Sequence, residues 1–342
     1  MSRPRDEVVG SNVPEVGNAA DLLGDVSLIS VVIVLHNSAD TVAATVASLP
    51  AAAELIVVDN ASVDDGAAIA LAGRPDARLV SRSDNRGFGA GCNAGAALVT
   101  RRYVMFLNPD AVLLEGAAEA MLEILALEPN LIVGPAHVTL DGTVLTNCRR
   151  RSNVLQDVFE LLPAAKRWTP DALRRDVPGD RALYVRGGPV AYVQGACFAV
   201  SCDTFRRVGG FDEDFFLYGE EETLADKVRA IGGRSIFIPD SRVLHEGGAS
   251  TNKVASQALR HLYRSRILFY AKRDGVFPAI GAVVAIGVAA TARAGAMAIR
   301  RRGGAKPTVE AFRWLWAVER GLGAGLRAAR RVKRNDDPQG QR

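Results

Sequence analysis

Three consecutive glutamates, Glu220, Glu221 and Glu222, stand directly before a segment with helical periodicity. The apolar residues of that segment recur at i, i+4 and i+7, at Leu224, Val228 and Ile231. This spacing predicts the buried stripe of a helix that begins near Glu220. Extending the stripe backwards by three residues reaches Glu221. Because an inward-facing carboxylate is unfavourable unless it meets a cleft, a cation or a proton-transfer role, we predict that Glu221 acts as a base. Glu220 and Glu222 are expected only to complement the positive end of the helix.

Polar and acidic residues also follow three predicted strands, at the point where each strand ends. They are His36-Asn37, Asp59-Asn60 and, after a later strand, Asn108 and Asp110. In open α/β sheets, ligands bind at the carboxyl ends of the strands. For any one of these pairs, capping of the following helix is as good an explanation as ligand binding. Three pairs at one edge favour a ligand site.

A glycine-rich loop precedes the predicted helix that ends near residue 100. Residues 89–94 fit the GxGxxA fingerprint of dinucleotide-binding folds. That fingerprint should follow the first strand directly, whereas the polar stretch 83–86 intervenes here, so the match alone is weak evidence. We expect the glycines instead to let the backbone approach a nucleotide, with Asn85 and Asn93 available for hydrogen bonds.

Alternating strands and helices are predicted around these residues. Apolar runs predict strands at residues 28–37, 54–59, 78–81, 103–107, 131–134 and 191–200. Helices are predicted at residues 41–49, from the glycine loop to about 100, at 115–127 and from about 220. This alternation predicts an α/β fold with a doubly wound, mostly parallel sheet and helices on both faces. Residues 137–147 predict a hairpin-like turn, and the basic stretch from Arg149 to about Pro189 predicts an irregular insert, typical of lids or acceptor loops.

The composition excludes several classes of protein. The chain has 342 residues, of which 48% are hydrophobic and 23% are charged, and this argues against a wholly disordered chain, a coiled coil or a polytopic membrane protein. Its four cysteines show neither disulfide nor zinc-site spacing, which favours a reducing cytosol. Residues 1–26 are polar and lack the apolar run of a secretory signal, so we expect a disordered arm there.

Charge is distributed unevenly along the chain. Residues 1–259 contain 24 Lys and Arg against 33 Asp and Glu, whereas residues 260–342 contain 18 against 5. The C-terminal region therefore needs an anionic partner. The two usual partners of this kind are an anionic lipid surface and nucleic acid. Nucleic acid is not expected, because no recognition motif accompanies the charge.

The C-terminal region also contains an apolar segment. Residues 275–292 carry no charge but are rich in Ala and Gly, and 18 residues is the lower edge for a membrane span. Residues 307–333 combine two tryptophans with several arginines, as in helices that lie at a lipid interface. We therefore predict a basic, helical, membrane-associated appendage at residues 256–342 that lies on the membrane surface. A helical cap docked on the preceding domain is the alternative.

Seven motifs follow one another along the chain: VVIVLHNSADTV, LIVVDNASVDD, NRGFGAGCNAG, FLNPDAVL, QGACFAV, GGFDEDFFLYGEEETLA and RVLHEGGAST. In this order they resemble the motifs of bacterial inverting glycosyltransferases of family two with the GT-A fold, in particular the rhamnosyltransferase-like branch. The resemblance covers about residues 27–255. It implies one GT-A domain with a nucleotide-binding half at residues 27–112 and an acceptor half at residues 113–255.

The resemblance also implies roles for particular residues. The implied contacts to the nucleotide-sugar donor are His36, Asn37, Asp59, Asn60, Asn85, Gly87, Asn93, Asn108 and Asp110. Asp110 stands where the family carries its metal-binding DxD motif. It would hold Mg²⁺ or Mn²⁺ at the donor's two phosphates, and His245 would reach the same metal or phosphate. On the acceptor side, the implied residues are Phe211, Asp212 and Glu220.

Glu221 stands at the position of the family's base, which would remove the acceptor hydroxyl's proton while the leaving diphosphate departs from the opposite face of the sugar. The family usually has Asp at this position, so Glu is a departure that keeps the chemistry. Two further departures are Thr223, where an acid is common, and Leu35–Asn37, where Asn-Tyr-Asn is frequent.

The residues and the resemblance together predict an inverting glycosyltransferase that extends a cell-envelope glycan or a polyprenyl-diphosphate-linked acceptor. The expected donor is dTDP-L-rhamnose, with UDP-galactofuranose, UDP-hexose and GDP-mannose as alternatives. A nucleotidyltransferase should instead carry a glycine-rich basic loop after the first strand, which His36-Asn37-Ser38 is not. A non-catalytic module that binds sugar nucleotides or lipid would tolerate loss of Glu221. The expected location is cytoplasmic, peripheral on the inner face of the plasma membrane, and a homo-oligomer is left open.

Overall fold

A nine-stranded sheet lies at the centre of the protein. The computed structural model describes residues 24–162, 169–177, 181–245, 255–300 and 305–336. Its strands are β1 (Ile29–Leu35), β2 (Glu54–Asn60), β3 (Arg78–Arg82), β4 (Tyr103–Leu107), β5 (Val112–Leu113), β6 (Leu131–Val138), β7 (Cys148–Arg149), β8 (Gly188–Val190), β9 (Tyr192–Val193), β10 (Cys197–Ser201) and β11 (Arg234–Leu244). The predicted arm at residues 1–26 lies outside the described residues, apart from its last three.

The strand order is β3-β2-β1-β4-β10-β6-β11-β5, with β8 also paired to β11, while β7 and β9 form a separate two-stranded sheet. Strands β1 to β4, β6 and β11 run in one direction, and β5, β8 and β10 run against them. This mixed, mostly parallel sheet confirms the predicted fold class. One predicted strand is wrong, because residues 191–200 are divided between β9 and β10 by a break at residues 194–196.

Helices cover the sheet and continue beyond it. They are α1 (Val42–Ala47), α2 (Gly66–Gly73), α3 (Phe88–Ala96), α4 (Ala117–Leu127), α5 (Val154–Leu161), α6 (Leu183–Arg186), α7 (Cys202–Arg207), α8 (Glu220–Ala230), α9 (Ala255–Asp274), α10 (Val276–Arg300) and α11 (Ala305–Asp336). The stretch from Arg149 to Pro189 was expected to be irregular, yet its described part contains α5 and α6. Asn153 starts α5 with a capping box that uses Gln156, a local signal of a helix.

Strand β1, in the first half of the sheet, is buried on both faces. All seven residues of β1 are buried, as expected for a central parallel strand covered by helices. Helix α3 approaches this strand so closely that a Cβ on Gly91 would lie 2.6 Å from Val34 Cγ1, and one on Gly95 would lie 2.4 Å from Val32 Cγ1. These two glycines therefore allow close helix–sheet packing, whereas the sequence indicated a role for the glycines at the nucleotide.

The three C-terminal helices pack on one another and on the rest of the chain. A buried apolar cluster joins α9, α10 and α11 to Leu161 of α5 and to Phe215. The inner faces of these helices are therefore docked on the preceding domain. This was one of the two arrangements considered for the C-terminal region. Within the described residues, one segment, Val276–Met297 of α10, is long and apolar enough to cross a membrane, and 28% of its 18-residue apolar window is buried.

Candidate active site

The polar residues after β1, β2 and β4 meet at one edge of the sheet. In the parallel registers, Leu35 lies opposite Asp59, and Ile33 lies opposite Leu107. His36 Nδ1 lies 3.0 Å from the carbonyl oxygen of Asn60, so the ends of β1 and β2 are joined directly. The structure therefore brings the three predicted segments together at the carboxyl ends of the strands, where a ligand site is expected.

Asn37 and Asp59 organise the turns at this edge. Asn37 adopts a left-handed backbone with φ 56°, and its side-chain oxygen accepts a hydrogen bond from the Val63 amide at 2.9 Å. Asp59 Oδ1 accepts a hydrogen bond from the Ser62 amide at 3.0 Å. Both side chains thus shape the loop after β2, and their contacts to a nucleotide stay predictions.

The loop before α3 is held against the same edge. The buried Asn60 donates from Nδ2 to the carbonyl of Gly87 at 3.0 Å, and Asn85 Oδ1 accepts the Gly87 amide at 2.9 Å. Gly87 has φ +100°, and a Cβ there would lie 2.1 Å from the carbonyl oxygen of Phe216. Only glycine fits this position, because both the backbone conformation and the approach of Phe216 exclude a side chain.

Asn93 makes hydrogen bonds to the loop before α8. Its Nδ2 donates to the carbonyl of Phe211 at 3.0 Å and to Glu213 Oε1 at 3.1 Å, and its Oδ1 accepts the Phe211 amide at 2.9 Å. The amide therefore fixes the loop before α8 onto α3. Its predicted contact to the nucleotide is not tested by this arrangement.

Asp110 lies beside His245, the residue that follows β11. His245 Nε2 is 3.4 Å from Asp110 Oδ1, and both side chains are largely buried. The ring of His137 on β6 is 5.3 Å from the ring of His245, and burial together with the nearby His245 and Arg149 lowers the pKa of His137 to about 3. His137 was missed by sequence reasoning, because its proximity depends on the pairing of β6 with β11.

Asp110 and His245 fit a divalent cation that is shared with a substrate. One carboxylate and one imidazole are too few to enclose an ion, and the described residues contain no cluster of three or more His, Cys, Asp or Glu that could hold a metal. A cation bound by one or two protein side chains usually takes its remaining ligands from substrate phosphates and water. The pair is therefore compatible with a cation at a diphosphate.

The break between β9 and β10 connects this edge to the glutamates. The Asn108 amide donates to the carbonyl of Ala196 at 2.8 Å, and the next residue back, Gly195, donates its amide to Glu221 Oε1 at 3.2 Å. A Cβ on Gly195 would lie 2.4 Å from the same Glu221 oxygen. One short segment thus holds Glu221 close to the strand end that carries Asn108 and Asp110.

The environments of the glutamates differ from the sequence-based expectation. Glu220 is 1% exposed and Glu222 is 4% exposed, although both were expected only to complement the positive end of the helix, and Glu221 is half-buried. Glu220 and Glu222 are buried because the first turn of α8 is surrounded by α3, by residues 194–196 and by Ser152. The predicted stripe also ends early, since Leu224 and Val228 are buried but Ile231 lies beyond the helix and is 36% exposed.

Burial raises the pKa of all three carboxyls. For Glu220, the neighbouring Glu221 adds to the effect, and Glu220 Oε2 is buried without a hydrogen-bond partner among the described residues. Glu222 accepts hydrogen bonds from the Ser152 amide at 2.6 Å and from the Ser152 hydroxyl. Glu221 alone of the three is half-buried rather than buried, which leaves it the most accessible carboxyl for proton transfer.

The other predicted acceptor-side residues have structural partners. Phe211 is 2% exposed and packs among the aromatic rings of Phe88, Phe106, Phe198 and Phe205. Asp212 forms an ion pair with Lys272 of α9 at 2.6 Å. Packing and ion pairing account for these positions, so their roles toward an acceptor stay predictions.

A buried ionic network behind Glu222 was also missed. Arg175 donates to the Ser152 hydroxyl and to Asp157, and Asp157 accepts from Arg266 and Tyr270 of α9. Asp157 is fully buried, and its three partners come from two separate parts of the chain, Arg175 and helix α9. The network connects helix α8, through Glu222 and Ser152, to α5 and to α9. The sequence holds no local signal for such distant pairing.

Comparison with known proteins agrees with this geometry. The sequence profile of glycosyl transferase family 2 matches residues 30–209. An N-acetylglucosaminyl-diphospho-decaprenol L-rhamnosyltransferase of Mycobacterium tuberculosis is 27% identical over 237 residues, which are 64% of this chain and 75% of that protein. A putative polypeptide N-acetylgalactosaminyltransferase 13 of Drosophila melanogaster is 30% identical over 238 residues, 64% of this chain but only 41% of that protein.

Among solved structures, the mannosyltransferase PcManGT from Pyrobaculum calidifontis, in complex with GDP-Man and Mn²⁺, has a similar fold. Its TM-score is 0.51 with 17% sequence identity, and the match covers 91% of this chain and 88% of that chain. At this identity the likeness concerns the fold alone. The family profile, by contrast, covers more than half of the 342 residues. The chain therefore belongs to glycosyltransferase family 2.

Proposed function

We propose that this protein is an inverting glycosyltransferase that moves a sugar from a nucleotide diphosphate to a hydroxyl group of a cell-envelope acceptor. The observation that carries the proposal is the pair of hydrogen bonds made by residues 194–196, one to Glu221 and one to Asn108. They hold a half-buried carboxylate beside the sheet edge that carries Asp110. A base and a donor-binding edge on one cleft are the two parts that a direct displacement requires.

In the proposed reaction, Glu221 takes the proton of the acceptor hydroxyl while its oxygen bonds to the anomeric carbon. The bond between that carbon and the phosphate oxygen breaks, and its electron pair leaves with the nucleoside diphosphate. Attack from the face opposite the leaving group inverts the anomeric centre in one step. The Gly195 amide, which donates to Glu221 Oε1, fixes the direction of the carboxylate for this proton transfer.

Asp110 and His245 are the proposed protein ligands of a divalent cation, Mg²⁺ or Mn²⁺. Family membership supports this part of the proposal, and so does the 3.4 Å separation of the Asp110 and His245 side chains. When bound, the cation would offset the negative charge that develops on the leaving diphosphate. His137, whose low pKa keeps it uncharged, places no positive charge beside the proposed ligands.

We propose dTDP-L-rhamnose as the donor and a polyprenyl-diphosphate-linked sugar as the acceptor. The support is the mycobacterial relative, whose name gives L-rhamnose as the transferred sugar and N-acetylglucosaminyl-diphospho-decaprenol as the acceptor. UDP-galactofuranose, UDP-hexose and GDP-mannose are the alternative donors. An acceptor with a lipid tail lies in a membrane, so the proposal includes peripheral attachment of this cytoplasmic protein to the inner face of the plasma membrane.

A panel of sugar nucleotides tests the proposal, with thermal unfolding and transfer measured in the same samples with Mg²⁺ or Mn²⁺. A donor present at 100 times its dissociation constant should stabilise the fold by about 2.7 kcal/mol. We expect the largest shift, and transfer with inversion, for dTDP-L-rhamnose. Transfer from another nucleotide sugar would change the proposed donor but not the proposed reaction. Binding without any transfer or hydrolysis would favour the non-catalytic alternative.

A further inference from the structure

Helix α10 has apolar side chains on two opposite faces. Its inner face is buried against α5, α9 and α11 through Ala279, Ala282, Ile286, Ala289 and Ala290. Its outer face exposes large apolar side chains, with exposed fractions of 82% for Phe277, 37% for Ile280, 60% for Val284 and 66% for Val288. We call these four residues the outer ridge.

The outer ridge is unusual for the surface of a protein in water. Its members are three or four residues apart, so they line one side of the helix over a length of about 16 Å. A surface helix normally turns charged or polar residues toward solvent, but residues 275–292 contain no charge. Other well-exposed apolar residues, such as Val63, Leu140 and Val185, come from separate parts of the chain and need no partner.

The neighbouring helix α11 exposes a basic stripe. Arg313, Trp316, Arg320, Arg327 and Arg331 are exposed and follow the helical repeat, so they share one face of α11. The guanidinium of Arg320 lies 3.9 Å from the centre of the Trp316 ring. Three further arginines, residues 300–302, follow the apolar part of α10 directly in sequence. By contrast, Lys272 and Arg273, before α10, are already paired with aspartates.

The exposed apolar ridge of α10 and the exposed arginines of the adjacent helix α11, which form no ion pair among the described residues, together complement one kind of surface, an anionic lipid bilayer. We infer that the outer ridge lies in the interfacial layer of an anionic membrane, with α10 parallel to the membrane plane. The inference rests on the proposed function in that a lipid-linked acceptor brings the enzyme to such a surface. Apolar side chains would enter the headgroup boundary, and the arginines would meet the lipid phosphates.

The packing of α10 argues for a parallel orientation and against a span. Its inner face is covered by α9 and α11, so a perpendicular α10 would draw both neighbours into the hydrocarbon layer. These neighbours carry arginines along their length, and charged side chains are strongly unfavourable at the centre of a bilayer. Only the outer ridge can enter lipid without unpacking the three helices.

The test compares the full-length protein with two triple variants. The ridge variant is Phe277→Ser, Val284→Ser and Val288→Ser, and the matched control is Val63→Ser, Leu140→Ser and Val185→Ser, which removes apolar side chains of similar exposure elsewhere. Binding is measured by cosedimentation with vesicles of phosphatidylglycerol and phosphatidylcholine, and with vesicles of phosphatidylcholine alone. Unfolding temperature and hydrolysis or transfer with a soluble acceptor are measured on the same preparations.

We expect binding to the anionic vesicles, weaker binding to phosphatidylcholine alone, and a loss of at least about tenfold for the ridge variant only. An alkaline carbonate wash should release the protein from the vesicles, and retention would overturn the parallel orientation. Equal binding by the ridge variant and the wild type, or no binding by the wild type, would overturn the lipid inference. So would a wild-type dimer that the ridge variant converts to a monomer. Transferase activity without vesicle binding would overturn this inference and the proposed membrane attachment but leave the proposed reaction intact, whereas vesicle binding without activity would overturn only the proposed reaction.

Discussion

Three adjacent carboxylates at the start of α8 have different chemistry because their surroundings differ. Glu222 is held by Ser152, Glu220 is buried with an oxygen that lacks a partner among the described residues, and Glu221 is half-buried and accepts the Gly195 amide. Helical periodicity alone singled out Glu221. Helical periodicity could not predict that Glu220 and Glu222 are buried, because the groups that surround the first turn of α8 come from distant parts of the chain.

Replacing Glu221 by Gln tests the proposed base. Gln keeps the size and the hydrogen bond from Gly195 but cannot take a proton, so turnover should fall by roughly 10² to 10⁴ with donor binding nearly unchanged. Asp226→Asn on the same helix is the matched control, since Asp226 pairs with Arg151 and Arg229 away from the cleft. If Glu220→Gln is the inactive variant instead, Glu221 is not the base.

The raised pKa of Glu221 predicts the acid limb of the pH profile. A base must be deprotonated to act, and burial favours the protonated, uncharged carboxyl. Turnover should therefore fall as pH decreases through the raised pKa of Glu221, at a higher pH than for an ordinary solvated glutamate. A profile measured with saturating donor checks this, and a limb at the ordinary glutamate pKa would contradict it.

Asp110→Ala tests the proposed cation ligand. Without this carboxylate the cation would lose its main anionic protein ligand, so turnover should be abolished and donor binding should no longer respond to EDTA. Asp84→Asn provides a control, because Asp84 is an exposed partner of Arg82 outside the proposed site. Full activity of the wild-type protein in EDTA would remove the metal from the proposal.

Among the elements, the parallel strands β1, β2 and β4 were predictable and the break at residues 194–196 was not. Continuous apolar runs predict buried strands from local sequence, and the three runs that predicted β1, β2 and β4 became strands. Residues 191–200 form one such run, yet the strand is interrupted because Ala196 bonds to Asn108 and Gly195 bonds to Glu221. Both bonds join residues that are far apart in sequence, which no local pattern contains.

Gly195→Ala tests whether this break positions the base. The new methyl group would lie 2.4 Å from Glu221 Oε1 and 2.9 Å from its Cδ, so the carboxylate must move. A displacement of about 1 Å at a reacting group can lower turnover by roughly 10²-fold, and we expect a loss of that order with little change in unfolding temperature. Gly281→Ala is the control, because a Cβ there meets nothing within 4 Å. Unchanged turnover in Gly195→Ala would show that Glu221 tolerates displacement.

For the whole molecule, the sequence distinguished an acidic body from a basic C-terminal region but could not decide how they are joined. The joint depends on long-range contacts: Arg266 and Tyr270 reach Asp157, and Ser265 donates to the Leu217 carbonyl at 2.8 Å. Arg264 also donates to the Asp214 carbonyl at 2.9 Å. Helix α9 therefore supports both α5 and the loop that carries Asp212, so the C-terminal helices belong to the architecture of the site.

Removing residues 276–342 should consequently destabilise the whole chain as well as release it from membranes. The deletion uncovers Ile267, Leu268 and Tyr270, each at most 1% exposed in the intact protein, and burial of one such side chain is worth roughly 1.5 to 3 kcal/mol. We expect the unfolding temperature to fall by about 10 °C or more, and donor affinity to fall with it as α9 loosens from the Asp214–Leu217 loop. Thermal unfolding and donor titration measure both effects, and the ridge variant serves as the control that keeps these contacts. A truncated chain with unchanged unfolding temperature and donor affinity would show that α10 and α11 are a separable membrane anchor.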